Sequence, residues 1–411
     1  MKSNKNLNVP NLRFPGFEGS WEVKNLDQLA NIYDGTHQTP KYVSSGIPFV
    51  SVENIENIEN SNKYISEDAF EKFKIKPQKD DILMTRITAG IIGATAIVRN
   101  NSPLGFYVSL ALIRKKDDAT NVNFLEKYIN TNYFKHELHK RIIHIAFPKK
   151  INLGEIGYCK ISFPDYFEQR KIAYLLNAID SRISTQNKII EDYKLLKKGM
   201  MQKIFNQELR FKDEHDNFYP EWKEKRLEEV CNLIKDGSHG THKDDNSSFC
   251  FLLSAKNIIG NKVTFDSTDR KIPQIDYDSI YKNYQLLQGD ILLTIVGTIG
   301  RVAIWKDTYP QIAFQRSVAI LRFTKELPTF IAQLLNSDSF QKELLRKQVV
   351  SAQPGLYLGD IAKLRIKLPS IPEQYKIASA LFSIDKKIEL ETEFLKMLET
   401  QKQHFLQNLF I

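Results

Sequence analysis

The feature that most constrains this chain is that it is written twice. Residues 153–180 align with 358–385 without a gap, at a constant offset of 205, and 13 of the 28 positions are identical. The shared residues include Leu153/Leu358, Gly154/Gly359, Pro164/Pro369, Glu168/Glu373, Gln169/Gln374, Lys171/Lys376, Ile172/Ile377, Ala173/Ala378 and Asp180/Asp385. Chance does not produce a gapless block of this kind. Shorter echoes run through the rest. Leu12-Arg13-Phe14 returns as Leu209-Arg210-Phe211, and Trp21 and Leu26 as Trp222 and Leu227. Asp34-Gly35-Thr36-His37 returns as Asp236-Gly237-Ser238-His239, Asp81–Thr85 as Asp290–Thr294, and Gly90 and Gly93 as Gly297 and Gly300. A duplication of half the chain demands two like structural units. Each half is a diverged part followed by a well-matched tail. The tails therefore share one job, and the diverged parts do related but different ones.

The tails read as long helices. Asp165 and Ser370 are N-cap types, each followed three residues later by Glu168 or Glu373, which predicts a capping box in each copy. Pro372 falls in the first turn, where its missing N–H costs nothing. Apolar residues then alternate at four and three. One seam runs Ile172, Leu176, Ile179, Ile183, Gln186, Ile190, Tyr193, Lys197, Met200, Ile204; the other runs Ile377, Leu381, Ile384, Ile388, Glu391, Leu395, Leu398, Lys402, Phe405, Leu409. Each helix should span about 40 residues, or ~60 Å. A heptad seam of that length predicts an antiparallel coiled coil between the two. In the expected register Lys197 faces Glu391 and Gln186 faces Lys402.

The diverged parts read as mixed α/β. Strands are expected at 48–52, 81–85, 95–98 and 110–113, and at 251–254, 290–294, 302–305 and 318–321. Single helices are expected over 123–144 and 327–347. The fold class is thus α+β: two mixed α/β domains separated by two long antiparallel coiled-coil helices, with internal pseudo-two-fold duplication. The expected boundaries are 1–164, 165–207, 208–369 and 370–411.

The net charge of +9 favours a polyanionic partner. The candidate contact residues lie in loops, which commonly carry recognition. They are Thr36, His37, Gln38 and Lys41 in the first Asp-Gly loop, and Ser238, His239, Thr241, His242 and Lys243 in the second. Arg86 and Thr88, and Thr298 and Arg301, follow matching strands; Lys149, Lys150, Gln315 and Arg316 complete the set. Arg and Lys can read guanine and Gln can read adenine, while most cations would meet phosphates. A solvated turn is the alternative for each loop taken alone.

Enzyme chemistry is hard to find. There is no G-x-x-x-x-G-K-[ST] phosphate loop and no Asn-Pro-Pro-aromatic run. Cys159, Cys231 and Cys250 form no C-x-x-C pair, so neither a disulfide framework nor a zinc cluster is indicated. His136/His139 and His239/His242 could chelate, but without neighbouring cysteines. Asp165, Glu168 and Lys171 look like a nuclease cluster, but Ser370 replaces the Asp in the second copy. No run of about 18 apolar residues is present, and the opening MKSNKNLNVP has no apolar segment, so a cytoplasmic protein without a membrane span is expected.

The repeated pattern Ile161-Ser162-Phe163-Pro164 through Glu168-Gln169-x-Lys171-Ile172-Ala173 to Asp180, with its second copy from Ile366 to Asp385 and the Gly289–Thr294 run, resembles the specificity subunits of type I restriction–modification systems. The resemblance covers essentially the whole chain; Asp80 in place of Gly289 is a departure. It implies two target-recognition domains, each followed by a spacer helix, and a non-catalytic role in recognising a bipartite double-stranded DNA target. It also implies partners: two modification subunits using S-adenosylmethionine, and restriction subunits using ATP and Mg, with no cofactor on this chain. Glu168, Gln169, Lys171, Glu373, Gln374 and Lys376 are the expected partner-docking residues of the spacer helices. The competing readings are a stand-alone nuclease or methyltransferase with an unrecognised site, and a coiled-coil scaffold without DNA contact.

Overall fold

The computed structural model describes residues 8–323, 325–348 and 355–411, so the first seven residues of the N-terminal stretch lie outside it. The chain divides into two compact units. One is Met1–Asn187 with Glu393–Ile411; the other is Lys188–Thr392.

The first unit is built on a four-stranded antiparallel sheet in the order Ala30–Asp34, Leu110–Lys115, Ile82–Thr85, Thr95–Ile97. The second unit repeats it as Cys231–Asp236, Val318–Phe323, Ile291–Thr294, Val302–Ile304. The predicted strands are present, shifted by a residue or two at their ends. Their apolar runs are continuous because both faces are covered. Ile82, Met84, Ala111 and Ile113 point into a core with the helices, while Leu83, Leu110 and Leu112 point into a second core. The second unit divides Ile291, Leu293 and Leu321 from Leu292 and Ile320 in the same way.

Each predicted single helix is in fact two. Val122–Ile129 is followed by Asn132–His139, and Pro328–Leu335 by Asp338–Arg346. The breaks fall at Thr131 and Ser337, whose hydroxyls accept hydrogen bonds from the Phe134 and Phe340 N–H groups at 3.3 and 3.4 Å and so start new helices.

The long helices are Tyr166–Phe205 and Ile371–Asn408. None of the twenty predicted seam residues is exposed. Each unit contains the start of one long helix and the end of the other, running in opposite directions. In the first unit Ile172, Ala173 and Leu176 share a core with Leu406, Leu409 and Phe410. In the second, Ile377, Ala378 and Leu381 share one with Ile204. Aromatic residues close both ends: Phe410 lies 5.5 Å from Phe124, and Phe205 lies 6.1 Å from Phe330, between ring centroids.

The expected register is corrected. Lys197 does not face Glu391; its ammonium binds both oxygens of Asp385, at 2.6 and 2.8 Å. Glu391 is held by Lys387 of its own helix at 2.7 Å. Lys402, expected opposite Gln186, binds Asp180 at 2.6 Å. The two polar seam lysines thus meet the two aspartates that the repeat preserves. A third residue joins each pair from the domain: Lys127 reaches Asp180 at 2.7 Å, and Gln333 donates to Asp385 at 2.8 Å.

The capping boxes are also corrected. Asp165 does cap, accepting from the N–H groups of Phe167 and Glu168 at 2.9 and 3.1 Å. The Ser370 hydroxyl is buried without a hydrogen-bond partner, so it does not cap. Neither glutamate turns back to its N-cap. Glu168 is 1% exposed and receives Arg13 on both oxygens at 2.8 Å and Trp21 Nε1 at 3.2 Å. Glu373 receives Trp222 Nε1 at 3.1 Å, with Arg210 only at 3.9 Å. The echoed Arg and Trp residues are therefore a clasp between the arm before each domain and the helix after it.

Candidate nucleic-acid interface

The register of each four-stranded sheet decides where its loops emerge. In the first unit Asp34 lies opposite Ala111, Thr85 opposite Leu110, and Thr95 opposite Met84. The loops after Asp34, after Thr85, before Thr95 and before Leu110 therefore all leave one end of the sheet. In the second unit Asp236 lies opposite Ala319, Thr294 opposite Val318, and Val302 opposite Leu293, which gives the same end. The candidate contact residues, scattered through the sequence, are gathered there. The opposite end carries the chain into the long helix.

The recurring Asp-Gly-Thr/Ser-His loops divide into scaffold and surface. A Cβ on Gly35 would stand 2.3 Å from the Phe106 carbonyl oxygen, and one on Gly237 would stand 2.1 Å from that of Phe314. Only glycine permits this approach. Thr36 and Ser238 then bridge to Tyr107 and Gln315 through the backbone. His37 Nε2 lies 2.6 Å from Asp34 Oδ2, and His239 Nε2 lies 2.6 Å from Asp236 Oδ2, fixing both rings at the surface. His37, Gln38, Lys41, His239, Thr241 and Lys243 are exposed. His242 is turned inward instead, with Nε2 2.6 Å from Ser238 Oγ and Nδ1 3.4 Å from Asp276. It shapes the second loop.

Arg86 sits behind the first loop. It is 9% exposed, its Nη1 lies 3.8 Å from Asp34 Oδ2, and that nitrogen has no hydrogen-bond partner. Burial pulls its pKa down, against the opposing pull of Asp34. The corresponding position of the second unit, after Thr294, is Ile295, which is also buried. Thr88 is paired with Lys149, and both Lys149 and Lys150 are exposed. Thr298 is exposed. Arg301 is exposed but donates to the Ile258 carbonyl at 3.2 Å. Gln315 is half-buried and Arg316 exposed.

Four of the six expected docking residues are too buried to meet a partner, while Lys171 is exposed and Lys376 half-buried. Glu168, Gln169, Glu373 and Gln374 are buried. The glutamates hold the clasp. Gln169 accepts from the Asn121 N–H at 2.8 Å and donates to the carbonyls of Ala119 and Pro164 at 3.1 and 2.9 Å. Gln374 accepts from the Leu327 N–H at 3.0 Å and donates to the Pro369 carbonyl at 3.2 Å and to Glu326. Lys171 lies over the rings of Phe14 and Phe17 at 5.9 and 5.5 Å. Lys376 donates to the Lys212 carbonyl at 2.7 Å. All six fasten a domain to its own helix.

The model of the type I restriction modification DNA specificity domain matches twice, at residues 18–193 and 219–400. The chain belongs to this family. Relatives within it agree. The type I restriction enzyme MjaVIII specificity subunit of Methanocaldococcus jannaschii is 31% identical over 258 residues, a match that spans 60% of either chain. The putative MjaX specificity subunit of the same organism is 26% identical across 94% of this chain and 92% of its own. The EcoBI specificity subunit of Escherichia coli is 24% identical across 87% and 78%. The fold is that of a solved type I S subunit from M. genitalium, with a TM-score of 0.60 at 15% identity and coverage of 98% and 99%.

The family assignment fits the two matched sheet ends. Sequence reasoning overlooked other residues at that end of the first unit. Ile145 and Phe147, 99% and 90% exposed, stand beside Lys149 and Lys150. The signal was available as four large apolar residues, Ile142, Ile143, Ile145 and Phe147, in a stretch, 140–150, with four Lys or Arg and no acid.

Proposed function

We propose that this chain reads a bipartite double-stranded DNA target and directs partner modification and restriction subunits to it, with no catalysis of its own. The observation that carries the reading is the gathering of polar and basic loop residues at one equivalent end of two like sheets. Each unit reads one half-site. His37, Gln38, Lys41, Thr88, Lys149 and Lys150 serve the first; His239, Thr241, Lys243, Thr298 and Arg316 serve the second. The long helices form a pseudo-two-fold antiparallel coiled coil that acts as a spacer, and two modification subunits dock on it. S-adenosylmethionine, ATP and Mg act on the partner subunits in the cytoplasm.

Sequencing of adenine methylation in host DNA, with and without the gene, tests this. The expected result is one two-part motif that disappears with the gene. Replacing residues 1–160 by the equivalent domain of a relative should change one half of the motif. Loss of no motif would reject the reading. One heptad inserted between Tyr193 and Lys197 keeps the seam in phase and adds ~10 Å of helix. At ~3.4 Å per base pair, the gap should widen by about three base pairs.

A further inference from the structure

The segment Ile143–Lys150 projects from the first unit at the end of the sheet where the candidate contacts gather. Its base is fixed twice. The Ile143 N–H donates to the Lys150 carbonyl at 2.8 Å, and Lys149–Lys150 pairs with Ile87–Thr88. The next residue, Ile151, donates its N–H to the Arg86 carbonyl at 3.0 Å. The projection is therefore anchored to the strand that carries Arg86 and Thr88. At its tip Ile145 and Phe147 are 99% and 90% exposed. Water is a poor surrounding for two large apolar side chains held out in this way.

The surroundings of the tip select its partner. Arg141 and Lys140 are engaged by Glu137 at 3.0 and 2.8 Å, which leaves Lys149 and Lys150 as the exposed cations next to Phe147. An apolar tip with two exposed lysines at its base matches a DNA duplex, with stacked bases inside and phosphates along the backbone.

We infer that Phe147, supported by Ile145, is a wedge that enters a base step of the first half-site while Lys149 and Lys150 take flanking phosphates. The inference rests on the DNA reading above. A wedge unstacks the step it enters and is favoured where stacking is weak, as at pyrimidine–purine steps. The first half-site is then selected at one step by the ease of deforming it as well as by hydrogen bonds to base edges. The anchored base matters, because a loose loop would lose the gain in ordering itself.

The test uses the full chain with its modification subunits. The probe is a duplex of the methylated motif carrying 2-aminopurine at successive positions of the first half-site. The wild-type complex should raise the fluorescence at one step. Phe147→Ala should abolish that rise and weaken binding about tenfold, with Ile145→Ala intermediate. Lys149→Ala and Lys150→Ala should keep the rise but each lower the salt slope by about one. Tight specific binding without any rise overturns the wedge and leaves the DNA reading intact. Absence of specific binding by the wild-type complex overturns the DNA reading itself. Loss of the modification subunit from the purified Phe147→Ala complex would make the tip a protein-docking surface and also overturn the wedge.

Discussion

The two clasps use the same residue types and are made differently. In the first unit Glu168 is met by Arg13 on both oxygens, a bidentate pair with Trp21 as a third donor. In the second unit Arg210 turns to the Tyr219 and Pro220 carbonyls and to Glu221. Arg210 Nε and Glu373 Oε1 are then buried without hydrogen-bond partners. Burial pushes the Glu373 carboxyl up, against the hydrogen bond from Trp222 and the charge of Arg210. A preserved residue is thus not a preserved contribution. A buried carboxylate stabilises only as far as its partners replace the water it has lost.

The largest expected effect comes from breaking the better clasp. Glu168→Ala strands Arg13 and Trp21 and should destabilise the first unit by about 3–5 kcal/mol in urea unfolding. Glu373→Gln should change the second unit by no more than about 1 kcal/mol, toward greater stability at neutral pH. The pH dependence sharpens this. A carboxyl raised by folding binds its proton more tightly in the folded state. Its contribution therefore favours folding in acid and is lost as pH rises through the folded value. Glu373→Gln should flatten that loss. Equal and large costs at both positions would show that the two clasps are equivalent.

The aspartate pins should rank next. Asp180 holds Lys127 and Lys402, whereas Asp385 holds Lys197 and the neutral Gln333. Asp180→Asn should cost about 2–4 kcal/mol and Asp385→Asn about half that, since the first weakens the pairing of two lysines, Lys402 and Lys127 (which keeps Glu126 at 2.8 Å), and the second that of Lys197 alone. Burial alone would raise the Asp180 carboxyl, but hydrogen bonds from the two lysines carry it below the ordinary aspartate value. Its contribution is present above the unfolded pKa and fades as pH falls through the folded one. Urea unfolding of the wild type from pH 7 to pH 3 should therefore show an acid-labile term that Asp180→Asn lacks.

The smallest effect on stability, within about 1 kcal/mol, is expected for Arg86→Ile, which copies Ile295 of the second unit. Arg86 is buried with one nitrogen unpaired, so an apolar residue should be tolerated. The same change should alter methylation of the first half-site only. An unchanged motif would make Arg86 a structural residue.

The sequence made the duplication, the long helices and their seams plain, because periodicity is a local signal. It also showed which residues recur: Arg13, Trp21, Glu168 and Asp180. What it hid was their partnership. Arg13 and Glu168 are 155 positions apart, and Lys197 and Asp385 are 188 apart. Heptad spacing says which residues face a seam but not which layer each occupies, so the register was misplaced by a shift that kept every apolar residue inside. The breaks between the short helices were hidden because Asn130-Thr131 and Asn336-Ser337 are compatible with a helix interior as well as with the N-caps they form. The departure at Asp80 has a simple cause: Asp80 and Gly289 occupy one left-handed position, with φ 71° and 90°. Aspartate tolerates it there. At Gly289 a Cβ would press on Pro328 at 3.1 Å. The candidate contacts were legible as polar loops; their meeting at one sheet end needed the strand order.

The paired strands Glu22–Asn25 with Lys160–Phe163, and Lys223–Arg226 with Arg365–Leu368, form the doorway of each recognition module. The chain enters and leaves through neighbouring backbone hydrogen bonds, which are blind to side-chain identity. Everything between is a cassette. The whole insert can therefore be exchanged for another and the frame kept, provided the newcomer matches one short ladder and keeps side chains that meet the long helices and their ends, as Lys127 and Phe124 do in the first unit. What the insert recognises and what the frame holds together are thus separable, because no side chain of the ladder is needed to join them.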